Sequence, residues 1–408
     1  MSRKRILFVV PTLESSGVEK QLVLLACNLP REEFEVEVAV LACGGELESD
    51  LLQSGIRYHL INKQFTIDPF ALCRLKRIIQ QFQPDIVHTC HFVGNCYGRY
   101  AAIACKVKFI IASESCVDLS KSSCQFFLDK YFARRTNYIV ANSAGVKEFY
   151  TQHGLSEDKF VVIPNATTPV DSNVVPFSRD EFLLRLGVAD STPTGDYVPV
   201  NNPKYDFDNE TYLPISNDTL LRQRPYIFGL VGRLLGQSRV TDLLWVCESL
   251  RVLDLHFHAV IIGDGVEREV LLRYRDEWGL SDCVHFIGER DDVMRIMPNF
   301  DLLLNLNKYE EQSSSILDAM QFGIPVVATN ILGNSEFVVD GETGVLVQDS
   351  GDDFHKLRRD FIRAILSLLE DEPRRSQMGI AAKKRVAEYF SLEKMIERYA
   401  TFYSSLFK

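Results

Sequence analysis

From its first residues the chain keeps a rhythm in which short apolar runs alternate with segments whose apolar residues recur at spacings of three and four. Runs at 5–10, 34–41, 56–60, 85–88, 109–112, 138–141 and 160–163 predict strands, and 18–28, 69–82, 94–105, 122–135 and 144–153 predict the helices between them. Strand and helix taking turns forces each strand to pair with a parallel neighbour, so the pattern predicts an α/β protein with helices on both faces of a doubly wound sheet. Residues 171–224 break the rhythm, with Pro176, Pro193, Pro199, Pro203 and Pro214 set among Asp, Asn, Ser and Thr, as in a linker or insertion. The rhythm then restarts, with strands predicted at 226–231, 256–262, 284–287, 302–304, 326–328 and 345–347. Two Rossmann-like domains are expected, 1–170 and 225–390. A last segment, 391–408, has an apolar face (Met395, Ile396, Tyr399, Phe402, Tyr403, Leu406) that needs a surface to cover.

Composition narrows the function classes. With 408 residues, 46% hydrophobic and 25% charged, the chain can bury two cores without staples. Its ten cysteines are too sparse for a disulfide scaffold. His88, Cys90, His91 and Cys96 lie close in sequence but lack the paired C-x-x-C arms of a zinc site, so no metal site is expected. No apolar run approaches the ~18 residues that span a bilayer, and a cytoplasmic location is expected. The net charge of −10 is uneven: residues 1–170 hold 19 Lys and Arg against 17 Asp and Glu, and the remainder 26 against 38. A nucleic-acid partner is not expected, and an anionic ligand must be held by a few local donors. Arg74, Lys76 and Arg77 share a helix with apolar Leu72, Leu75, Ile78 and Ile79. They read as a solvated face, or as a peripheral contact with an anionic membrane.

The most informative stretch is 301–347. A strand ends in a loop with Glu310; Ser313, Ser314 and Ser315 then open a helix that stops at Gly323 and Pro325. Backbone N–H groups at 312–315 predict a phosphate site, and Asp318 and Glu310 are placed to accept hydrogen bonds from vicinal hydroxyls. This stretch resembles the second half of the retaining GT-B glycosyltransferases of the family 4 type. Glu310-x7-Asp318-Ala319-Met320-Gln321-Phe322-Gly323-Ile324-Pro325 matches the E-x7-E signature and the residues after it. Val231-Gly232-Arg233-Leu234, Ile262-Gly263-Asp264-Gly265, Phe286-Ile287-Gly288, Gly333 to Glu336 and Asp340 to Gly344 resemble further family elements, in family order. In the first half, Gly17-Val18-Glu19, Pro84-Asp85-Ile86-Val87-His88, Ala141-Asn142-Ser143 and Ile163-Pro164-Asn165 do the same.

The resemblance implies two domains facing across a cleft, with the terminal helix crossing back onto the first. It also implies sugar transfer from a nucleotide-sugar donor to a hydroxyl acceptor with retention of configuration. Glu310 is expected at the sugar hydroxyls, Asp318 at the ribose and Arg233 at the diphosphate, with Gly288, Glu289 and Arg290 framing the base. Gly263 and Ser313 to Ser315 line the same donor site, and Gly17 allows the first domain's backbone to approach the phosphate. No cofactor beyond the donor is implied, and no metal. The departures also matter. Ser238 stands where the family has a phosphate-binding lysine, with Arg239 beside it as a replacement. Ser115 takes the place of a cleft histidine, so Ser115, Glu114 or Asp118 contacts the sugars, or that contribution is lost. The other reading is therefore a GT-B protein that binds or regulates without transferring sugar.

Overall fold

The structure, a computed structural model, describes residues 3–14, 17–117, 121–167, 174–187, 225–308, 313–349, 351 and 353–408, and the backbone of 203–206 and 211–214. The chain divides into two units, Met1–Ala166 with Phe390–Lys408, and Thr167–Tyr389.

In the first unit the order is β1 (Lys4–Val10), α1 (Gly17–Asn28), β2 (Phe34–Val40), α2 (Glu48–Gln53), β3 (Arg57–Leu60), α3 (Pro69–Phe82), β4 (Ile86–Cys90), α4 (His91–Ala104), β5 (Phe109–Glu114), α5 (Ser123–Ala133), β6 (Tyr138–Ala141), α6 (Ala144–Gln152) and β7 (Phe160–Val162). The sheet is parallel throughout, in the order β3-β2-β1-β4-β5-β6-β7. β1 shows why its sequence is an unbroken apolar run. Ile6, Phe8 and Val10 enter one core while Leu7 and Val9 enter the other, so both faces are covered. Local signals set the helix ends. Asp68 accepts from the Ala71 N–H ahead of Pro69, and Gln83 ends α3 with a φ of 49°. Ser122 and Gln125 form a reciprocal capping box at α5.

The second unit runs α7 (Arg179–Arg185), β8 (Pro203–Asp206), β9 (Thr211–Pro214), β10 (Tyr226–Val231), α8 (Val240–Val252), β11 (Phe257–Ile262), α9 (Arg268–Glu277), β12 (Val284–Gly288), α10 (Val293–Ile296), β13 (Leu302–Asn305), α11 (Ser314–Phe322), β14 (Val326–Asn330), α12 (Leu332–Phe337), β15 (Gly344–Gln348), α13 (Phe354–Glu370) and α14 (Glu372–Tyr389). Its main sheet, also parallel, has the order β12-β11-β10-β13-β14-β15, and β8 and β9 pair as an antiparallel hairpin.

Two expectations are corrected here. Part of the stretch read as a linker is folded onto the second unit. Arg179 bonds the carbonyls of Pro225 (2.7 Å) and Asn299 (3.1 Å) and pairs with Asp301 (2.6 Å), and Phe177 is buried. Pro203 begins β8 and Pro214 ends β9, while Pro193 and Pro199 lie outside the described residues. His88, expected at a strand end, lies in the middle of β4, because the strand continues to Cys90. Its Nδ1 is 2.6 Å from the Tyr403 hydroxyl and its Nε2 is 2.7 Å from Ser113 Oγ. Tyr403 belongs to α15 (Leu392–Ser405), whose Met395, Tyr399 and Tyr403 close one core of the first unit. Burial pushes the His88 imidazole down to about 3, so it serves as a neutral structural group.

In each sheet the strand order reverses once, between β1 and β4 and between β10 and β13. In doubly wound sheets ligands bind at the carboxyl ends of the strands beside such a reversal. The loops to inspect are therefore those after β1, β4, β10 and β13.

Candidate functional site

In the second unit the loop after β10 is braced from below. Gly232 N–H donates to Ile262 O (3.0 Å), Leu234 N–H to Asp264 O (2.9 Å), and Gly263 N–H to Gly288 O (2.8 Å). A Cβ on Gly263 would strike Gly232 O, and one on Gly265 would strike Leu234 O. These glycines therefore let three successive post-strand loops pack backbone to backbone, a stronger demand than a tight turn. Across the strand reversal, Lys308 N–H donates to Gln237 O (2.8 Å), which joins the loop after β13 to the loop after β10.

Arg233 stands on this braced loop with its side chain exposed. Its carbonyl is turned inward, where it accepts from Ser238 Oγ (2.6 Å) and Leu235 N–H (3.1 Å). Ser238 is buried and serves the loop rather than a ligand. Arg239 is only 6% exposed, in a left-handed turn at φ 49°. Its Nη1 pairs with Asp349 at 3.0 Å, and its Nη2 is buried without a partner among the described residues. The guanidinium expected to replace the missing lysine is thus already committed to an acid 110 positions away. Arg290 is also engaged, forked onto Asp292 at 2.8 and 2.6 Å, and this pairing holds the Asp292 carboxyl below its ordinary range. Gly288 has a φ of 75° and open space where a side chain would stand.

Glu310, Glu311 and Gln312 lie outside the described residues. Beyond them Ser313 precedes α11 without capping it; its Oγ instead meets Ser315 Oγ at 2.8 Å and accepts from Asn305 Nδ2 at 3.4 Å. Among the described residues the first turn of α11 therefore has no side-chain cap, and its N–H dipoles lie at the strand reversal. Ser314 is exposed and Asp318, half-buried, follows on the same helix face. Beneath them lies a polar floor that the sequence reading missed. Asn334 donates to Thr329 O (3.0 Å) and Asn305 Oδ1 (3.3 Å), while Thr329 Oγ1 donates to Asn307 O (2.6 Å). Asn305, ending the otherwise apolar strand Leu302–Asn305, was the available signal.

In the first unit α1 begins at Gly17, where an added Cβ would meet nothing within 4 Å. Ser15, Ser16 and Asp118 lie outside the described residues. Glu19, in the first turn of α1, is 3.1 Å from His91 Nε2 at the start of α4, a pair that joins the two loops at this sheet's reversal. Ser115 follows β5 half-buried, with its carbonyl held by Asn142 Nδ2 at 2.9 Å. Glu114 turns inward rather than toward a ligand: Asn95 donates to it at 2.9 Å and Lys121 Nζ lies at 3.7 Å. Lys121 in turn reaches Asp129 at 2.7 Å and the Tyr150 hydroxyl at 3.0 Å, and Arg99 closes the group on Asp129 at 2.7 Å. Two cations and two carboxylates thus neutralise one another inside the unit. Burial pushes the Glu114 carboxyl up; on Lys121 burial opposes the charge, but Glu114 and Asp129 outweigh it and hold the amine above its ordinary range. His88, Cys90, His91 and Cys96 do not converge; among the described residues no group of three or more His, Cys, Asp or Glu is arranged to hold a metal.

Comparison with known proteins follows the same division. The family model for Glycosyl transferases group 1 matches residues 214–385, and that for Glycosyltransferase Family 4 matches residues 15–169. N-acetyl-alpha-D-glucosaminyl L-malate synthase of Bacillus anthracis is 30% identical over 166 residues, 41% of this chain and 42% of that protein. The chain thus spans less than half the length of this relative. UDP-Gal:alpha-D-GlcNAc-diphosphoundecaprenol alpha-1,3-galactosyltransferase of Escherichia coli is 22% identical over 405 residues, 95% of this chain and 93% of that protein. The crystal structure of Anabaena Alr3699/HepE in complex with UDP and glucose superimposes with a TM-score of 0.77 at 19% identity, covering 99% of this chain and all of that one.

Proposed function

The chain belongs to the GT-B glycosyltransferases, with a family 4 first half and a group 1 second half, and from this we propose that it transfers a sugar from a UDP-sugar to a hydroxyl acceptor with retention of configuration. The observation that carries the reading is that the loops after β10 and β13, which flank the strand reversal of the second unit, carry the exposed Arg233 and the first turn of α11, which no described side chain caps. A departing diphosphate gains negative charge as the glycosidic bond breaks. A fixed guanidinium and aligned N–H dipoles stabilise that charge more than they stabilise the intact donor. Asp318 takes the ribose hydroxyls from the same helix face, Gly288 leaves room for the base and Glu310 orients the sugar. Ser313 and Ser315, tied to each other and to Asn305, fix the start of α11 rather than binding the donor themselves. Uridine is the proposed base, a reading supported by the UDP held by the structural neighbour and by the UDP-sugar in the name of the Escherichia coli relative. The proposed acceptor is membrane-borne, in keeping with the alpha-D-GlcNAc-diphosphoundecaprenol in that relative's name and with the basic helix α3.

One observation favours the reading without transfer. With Ser238 bound to the loop and Arg239 bound to Asp349, Arg233 is left as the guanidinium exposed on this loop. A thermal-shift panel of UDP, GDP and ADP decides the first step: stabilisation by UDP that is lost in Arg233→Ala supports the donor site, and no shift with any of the three refutes it.

A further inference from the structure

The loop between β3 and α3 inverts the usual arrangement of a surface loop, in that its polar backbone is satisfied from beneath and its apolar side chains face outward. Lys63 N–H donates to Leu41 O (2.7 Å), and Arg74 holds the carbonyls of Ile61 (2.8 Å) and Asn62 (3.2 Å). Gln64 N–H donates to Asp68 Oδ2 (3.2 Å), and the Tyr97 hydroxyl accepts from Asp68 N–H (2.6 Å) while donating to Thr66 O (3.4 Å). On this built platform Phe65 is 65% exposed, Ile67 81% and Phe70 71%. Three large apolar side chains within six positions, each mostly in water, are a patch and not scattered exceptions.

Charge identifies what the patch meets. Lys63 stands in the loop; Lys76 and Arg77 lie further along α3, and Arg77 shares the helix face of Phe70. Neither α3 nor α4, which packs beside it, carries an acidic residue, and the loop's one acid, Asp68, is buried as the cap of α3. A protruding apolar tip rimmed by cations fits a bilayer with anionic headgroups. The loop also leaves the carboxyl end of β3, the same end of the parallel sheet from which the chain leaves β1 toward Gly17, and β3 stands two strands from β1, roughly 10 Å away.

We infer that residues 61–70 form a membrane-insertion surface, with Phe65, Ile67 and Phe70 entering the boundary of an anionic bilayer and Lys63, Lys76 and Arg77 meeting headgroup phosphates. The inference rests on the proposed membrane-borne acceptor for its purpose, and its test is independent of transfer. The full chain is floated with vesicles of phosphatidylcholine alone and of phosphatidylcholine with 30% phosphatidylglycerol. Binding to the anionic vesicles is expected, weakened about tenfold or more in a Phe65→Ser, Ile67→Ser, Phe70→Ser triple variant. Lys76→Glu with Arg77→Glu is expected to abolish the preference for phosphatidylglycerol. Phe65, Ile67, Phe70 and Arg77 are exposed and Lys76 is half-buried over the Tyr100 ring, and an unchanged melting temperature shows that each variant is folded. Absence of vesicle binding by the wild type, or undiminished binding by the triple variant, overturns the inference. So does a concentration-dependent dimer that the triple substitution dissolves without any vesicle binding, since the patch would then join two copies. Failure of UDP binding with vesicle binding intact would refute the donor reading and leave this surface standing.

Discussion

The hydroxyl of Ser238 donates to the carbonyl oxygen of Arg233 across 2.6 Å. The bond turns the backbone of Arg233 inward and leaves its guanidinium outside, so the residue that departs from the family's lysine supports the residue that keeps the family's arginine. Ser238→Ala removes one buried hydrogen bond, costing about 1 kcal/mol of local order. The expected result is a UDP dissociation constant raised about fivefold by calorimetry, with the melting temperature little changed.

The two arginines should separate cleanly. Arg239→Ala leaves Asp349 with the Gly351 N–H but without its cation and is expected to destabilise the second unit by about 2 kcal/mol, below the cost for a fully buried pair because Asp349 keeps some water. Arg233→Ala, which removes an exposed side chain, should leave urea unfolding unchanged and abolish UDP binding.

Gly17 gives the opposite signs for stability and binding. Its Cβ position is open and its φ is ordinary, so Gly17→Ala should stabilise α1 by about 0.5 kcal/mol. If the donor phosphate approaches this backbone, the same methyl weakens donor binding. A stabilised variant with unchanged donor affinity would remove Gly17 from the site.

Much of this was legible in sequence because the signals are local. Both-face burial makes β1 and β10 continuous apolar runs, and the serines and Gly323 mark the ends of α11. What escaped depends on distant partners. His88 reads as a strand end until Tyr403 is placed over it, Arg239 reads as a phosphate ligand until Asp349 arrives, and Glu114 reads as a site acid until Lys121 and Asn95 claim it. Periodicity carries no information about partners more than a few turns away.

The cluster of Glu114, Lys121, Asp129 and Arg99 should behave as one neutral object. Lys121→Met leaves the two buried carboxylates sharing Arg99 as their cation, one negative charge in excess, and is expected to cost about 3 kcal/mol or more in urea unfolding. Adding Glu114→Gln should restore part of that loss, and a purely additive double variant would show that the two side chains are not coupled.

His88 makes stability depend on pH. Its folded value, about 3, lies below the unfolded 6.5, so the unfolded chain binds the extra proton and stability is lost as pH falls below 6.5. Between pH 6 and 4 this one group contributes a slope of about 1.4 kcal/mol per pH unit. His258, pushed down to about 4 chiefly by burial, adds to the same trend in the second unit. His88→Gln should flatten the profile by one proton's slope in denaturant titrations from pH 7.5 to 4.5.

The central claim is that Arg233 and the first turn of α11 stabilise a departing nucleoside diphosphate. UDP release from a panel of UDP-sugars, measured with wild-type protein and with Arg233→Ala, tests it directly. The account predicts release from at least one donor and a loss of about 10²-fold or more in the variant, with the fold intact. Release from no donor, or release by the variant at the wild-type rate, would contradict it.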